Sequence, residues 1–66
     1  MKITLNGSQK DIAATTNLKI LVEQFCKDSR HVIAELNGTI MKNQQWAEAT
    51  LKDGDTLELV NFVGGG

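Results

Sequence analysis

Proline and tyrosine are absent from this 66-residue chain, and cysteine, histidine and tryptophan occur once each. A single cysteine, Cys26, excludes an internal disulfide, and the chain lacks the residues for a four-ligand metal site. The lone His31 has no second histidine and no Ser-His-Asp pattern beside it, so it is read as a surface residue. No apolar run approaches the roughly 20 residues of a membrane span. The opening Met1-Lys2-Ile3-Thr4-Leu5-Asn6 alternates instead of forming a signal-peptide core, so the expected compartment is the cytosol. Charge of one sign is missing too: seven Lys and Arg stand against eight Asp and Glu, with no run of either. That excludes the basic stripe of a nucleic-acid binder and the acidic composition of a disordered tail. With no linker-like shift and no repeat, the chain is one domain. A domain this short buries only about 60% of its unfolded surface, too little to wall off a deep substrate pocket.

What is present is a run of short, patterned segments. Ile3 and Leu5 alternate with Lys2 and Thr4, the period of a half-buried strand. Asn6-Gly7 tolerates the positive φ angles of a tight hairpin, and a return strand is expected from Ser8 to Ala13 with Ile12 inward. Leu18, Leu21, Val22 and Phe25 fall at i, i+3, i+4 and i+7, one stripe of a helix of about ten residues. Asn17 precedes it as N-cap, and Lys27 suits the negative end of its dipole. Cys26 flanks the stripe, where a small hydrophobe packs well. Val32, Ala34 and Leu36 give a third strand, followed by an Asn37-Gly38 turn and a brief continuation over Thr39, Ile40 and Met41. Lys42 to Trp46 reads as an irregular polar connection ending in one large packing anchor. Leu51 is assigned to a short fourth strand, Asp53-Gly54-Asp55 to a turn, and Thr56 to Val63 to the last strand, with Leu57 and Leu59 inward. Strand, strand, helix, strand, short strand, strand, with first and last adjacent, is the layout of an α+β, β-grasp (ubiquitin-like) fold: a mixed sheet packed on one main helix.

The chain finishes on Val63-Gly64-Gly65-Gly66. Glycine adds no apolar area and loses the most backbone entropy on ordering, so residues 63–66 read as a flexible tail after a domain spanning 1–62. Four extended residues reach roughly 13 Å, enough to carry a terminal carboxylate into a channel on another protein. The competing reading is a frayed end. A phosphate-binding loop is excluded, because no helix follows the glycines to meet an anion.

Several features together resemble the ThiS family of ubiquitin-like sulfur carriers in thiamine biosynthesis. They are Met1-Lys2-Ile3-Thr4-Leu5-Asn6-Gly7, the capped helix with Leu21 and Glu23, Leu36-Asn37-Gly38, Gln45-Trp46, Asp53-Gly54-Asp55 and Phe62-Val63-Gly64-Gly65-Gly66. The resemblance covers the whole chain. Lys42-Asn43-Gln44 departs from the proline or arginine often found before the tryptophan, and leaves Lys42 as the nearby positive charge. The resemblance implies a carrier and not an enzyme, with no catalytic residue and no bound cofactor. The Gly66 carboxylate would be adenylated with ATP by a ThiF-type adenylyltransferase. It would then be converted to a thiocarboxylate with sulfur from a donor such as a cysteine desulfurase, and would give that sulfur to a ThiG-type thiazole synthase. Gly64 and Gly65 would thread the partner's channel. Glu58, Val60 and Phe62 should point away from Leu57 and Leu59, and are expected to dock the partners, with Asp55 at the rim. The alternative for the two apolar residues is to cap the edge of a thin core. Rival functions are the small subunit of molybdopterin synthase, a ubiquitin-like modifier, or a plain interaction module. No membrane or nucleic acid is implied, and a monomer is expected.

Overall fold

The computed structural model describes residues 1–14, 16–26 and 31–61. Strand β1 (Lys2–Leu5) pairs antiparallel with β2 (Ser8–Asp11) across Asn6 (φ 48°) and Gly7 (φ 84°). Two consecutive positive φ angles define the two-residue turn whose twist matches the flanking strands, and the Asn-Gly pair is its usual sequence. The same solution recurs between β3 (Val32–Leu36) and β4 (Thr39–Met41), with Asn37 at 51° and Gly38 at 86°. The last strand, β5 (Thr56–Asn61), lies between β1 and β3, parallel to the first and antiparallel to the second. The sheet order is β2-β1-β5-β3-β4.

Helix α1 (Leu18–Phe25) covers one face. Asn17 caps it as expected, its Oδ1 accepting from the Ile20 N–H at 2.8 Å. Leu18, Leu21 and Val22 are fully buried against Ile3, Leu5, Val32, Ala34 and Leu57. Each such aliphatic side chain contributes about 1.5–3 kcal/mol of burial, so a few positions hold the fold. Phe25, placed on the same stripe by its spacing, is 50% exposed. The helix is eight residues long and Phe25 is its last; Cys26, in extended conformation just after it, packs against the core instead. Lys27 lies outside the described residues.

Three further expectations are corrected in detail. The return strand stops at Asp11; Ile12 is half-buried and exchanges two hydrogen bonds with Met1. The polar stretch after β4 is not irregular but a 3-10 helix, Asn43–Glu48, closed by the Gln45 side chain accepting from the Lys42 N–H at 3.0 Å. Leu51 is in no strand, although it is 2% exposed. Its N–H donates to Thr16 and the Leu18 N–H donates to Ala49, so residues 49–51 are pinned to the start of α1 rather than to the sheet. The short fourth strand is β4. Trp46 is the anchor its size suggests: it is 2% exposed, with Nε1–H donating to the Met41 carbonyl at 2.9 Å.

Candidate functional site

Strand β5 alternates as its sequence requires. Leu57 is fully buried and Leu59 half-buried toward α1, while Glu58 and Val60 are exposed on the opposite face. Register then decides their company. Val60 stands directly across from Ile33, Glu58 across from Glu35, and Glu35 across from Ile40 on the far side of β3. The outer face of the sheet therefore carries Ile33, Ile40 and Val60, at 42%, 64% and 54% exposure, around two facing glutamates. Aliphatic groups next to paired acids suit an apolar protein surface with a basic rim. Phe62, Gly64, Gly65 and Gly66, expected to continue this site, lie outside the described residues.

Asp55, expected at the rim, is engaged within the chain. Its two carboxylate oxygens accept from the Asn37 amide at 3.0 Å and the Lys52 N–H at 2.8 Å. Among the described residues no group of three or more His, Cys, Asp or Glu side chains could hold a metal ion. No described helix is long and apolar enough to cross a membrane. Cys26 is a half-buried free thiol packed on the core, and His31 is exposed. Ile33, Glu35 and Ile40 are the neighbours sequence reasoning missed. Alternation within β3 already turned Ile33 and Glu35 away from Val32 and Ala34, but their pairing with Val60 and Glu58 depends on register.

The family model described as "ThiS family" matches residues 3–66. The chain belongs to the ThiS family. Over 66 residues the chain is 36% identical to a thiazole synthase of Paramagnetospirillum magneticum, covering all of this chain and 20% of that protein. It thus spans about a fifth of that relative's length. It is 34% identical to the sulfur carrier protein ThiS of Bacillus subtilis, across 97% of this chain and 98% of that one. The crystal structure of the thiamine biosynthesis protein ThiS from Geobacter metallireducens superimposes with a TM-score of 0.85 at 32% identity, covering all of both chains. The β-grasp expectation is met by the sheet order and by that ThiS structure together.

Proposed function

We propose that this chain is the sulfur carrier for thiazole formation in thiamine biosynthesis, working in the cytosol, with the C-terminal carboxylate of Gly66 as its working group. The observation that carries this reading is the ThiS family match, which runs through residue 66. An α-carboxylate is an anion at neutral pH and resists nucleophiles. A ThiF-type adenylyltransferase removes that resistance: one carboxylate oxygen attacks the α-phosphorus of ATP, pyrophosphate leaves, and the carbon becomes an acyl adenylate. Sulfide then displaces AMP to give the thiocarboxylate directly. A persulfide supplied by a donor such as a cysteine desulfurase displaces AMP to give an acyl disulfide. A second thiol of the partner or donor then cleaves its S–S bond, leaving sulfur on Gly66 and a disulfide between the two thiols. A side chain at Gly65 or Gly66 would crowd the nucleotide and the channel around it, so the glycines 64–66 suit a thin tail beyond a domain of residues 1–62.

A ThiG-type thiazole synthase is the acceptor. The Paramagnetospirillum magneticum protein supports this, since there a segment similar to the whole of this chain belongs to one polypeptide with a thiazole synthase. The partners dock on the outer sheet face, through Glu58, Val60 and Phe62, extended by Ile33, Glu35 and Ile40. The carrier itself holds no cofactor; ATP belongs to the activating partner.

Intact-protein mass spectrometry after incubation with ATP, an adenylating partner and a sulfur donor tests the reading. The expected shift equals exchange of one oxygen for one sulfur and maps to the terminal peptide. Sulfur found elsewhere in the chain, or no ATP-dependent shift, overturns it.

A further inference from the structure

The β1·β5 ladder contains only two residue pairs, Thr4↔Thr56 and Leu5↔Leu57. Its bonds follow the slanted parallel pattern, with the Thr4 N–H donating to Asp55 and the Asn6 N–H to Leu57, each at 2.9 Å. Continuing that pattern, the Leu59 N–H would donate to the backbone carbonyl of residue 6, and the N–H of residue 8 would donate to the Leu59 carbonyl. Neither backbone group is placed to do so, because at Asn6 (φ 48°) the chain turns into the hairpin. The Asn6 side chain takes over both positions. Its Oδ1 accepts from the Leu59 N–H at 2.8 Å and its Nδ2 donates to the Leu59 carbonyl at 3.3 Å. One amide thus supplies a further rung of the ladder after β1 has left the sheet.

We infer that Asn6 is a positioning residue for the C-terminal segment: its rung holds β5 on the β1 side just before the chain continues to Gly66. This rests on the carrier reading above. Without the rung, β5 keeps β3 on one side but is untied at Leu59 on the other, and the terminal residues depart from a less constrained base. Ordering that base on docking then opposes binding, whereas the geometry around the reacting carbon is restored once the tail is seated. The effect belongs in KM and not in kcat.

Asn37 provides a matched control. It occupies the equivalent position of the second Asn-Gly turn at nearly the same φ, but its Oδ1 accepts from the Thr56 N–H at 2.8 Å, at the opposite end of β5. Glycine tolerates both positions, so Asn6→Gly and Asn37→Gly each remove the side-chain bonds without straining the backbone. A net hydrogen bond of ordinary strength corresponds to a factor of roughly 3–10. In Asn6→Gly, amide hydrogen exchange at Leu59 should quicken by about that factor. KM of the carrier for ATP-dependent sulfur loading should rise by about the same factor, with kcat unchanged. Asn37→Gly should lose similar thermal stability and leave KM where it is. Asn6→Asp, which keeps the acceptor and loses the donor, should fall between wild type and Asn6→Gly, and replaces it if the glycine variant does not fold. The inference is overturned by unchanged exchange at Leu59, by an unmoved KM in Asn6→Gly, or by equal rises in KM for both glycine variants. If wild type itself is not loaded, the carrier reading falls and takes this role with it; a loaded wild type with an unmoved KM in the variant removes the role of Asn6 alone.

Discussion

Trp46 has the most concentrated stabilising role of any single side chain in the fold. It is the largest buried residue, packed with the α1 cluster and bonded through its indole nitrogen to Met41. Truncating a buried aromatic to alanine costs about 3–5 kcal/mol. Against a total of roughly 5–15 kcal/mol for ordinary domains, with a chain this short at the lower end, Trp46→Ala should leave much of the protein unfolded. Urea denaturation followed by circular dichroism measures this; a midpoint within error of wild type would show that Trp46 anchors nothing. Phe25 is the contrast. Its spacing is core-like, but its side chain is half exposed, so Phe25→Ser should cost only about 1 kcal/mol in the same assay, well below the loss at Trp46. The Asn17 cap was legible in the sequence because a cap is settled within three residues. The fate of Phe25 was not, because it depends on how far the facing core extends along the helix.

Among the elements, β5 is where stability meets the proposed docking, and on its outer face the two should pull in opposite directions. Glu58 and Glu35 are directly opposite each other, and like charges in such pairs destabilise a sheet by about 0.2–1 kcal/mol. Glu58→Gln should therefore raise the melting temperature slightly, while weakening a partner that meets the acids with basic groups. The expected combination is a higher Tm with a higher KM for sulfur loading. A higher Tm with KM unmoved would leave the glutamates without a part in docking. The inward positions of this strand were readable from alternation alone, as Leu57 confirms. Its outward neighbours were not, since Ile33 and Val60 are 27 positions apart in the chain and meet only through register. The same holds for Leu51: a leucine beside a turn looks like a strand, and only its bond to Thr16 and the packing behind it show that it closes the base of the helix.

The whole molecule is a thin two-layer body whose ten buried apolar side chains, among the described residues, form one cluster under α1. So small a core suits the proposed function, in which the nucleotide and the sulfur donor are held by partners. That much was legible from length and composition. The proposed division of labour between body and tail rests on a contrast in the sequence: patterned residues up to β5, bare glycine after it. Removal of Gly65 and Gly66 tests that division, because the two parts predict different losses. Glycine has no side chain to bury, so the truncated chain should melt with the intact one to within about 0.5 kcal/mol. It should accept no sulfur in the presence of ATP, an adenylating partner and a donor. Because the outer sheet face is untouched, it should still occupy the partner, inhibiting loading of the intact chain competitively with an inhibition constant near the KM of the carrier. Sulfur loading of the truncated chain would move the reactive group away from Gly66. Failure to compete would instead place recognition in the glycines and leave Ile33, Glu58 and Val60 as surface.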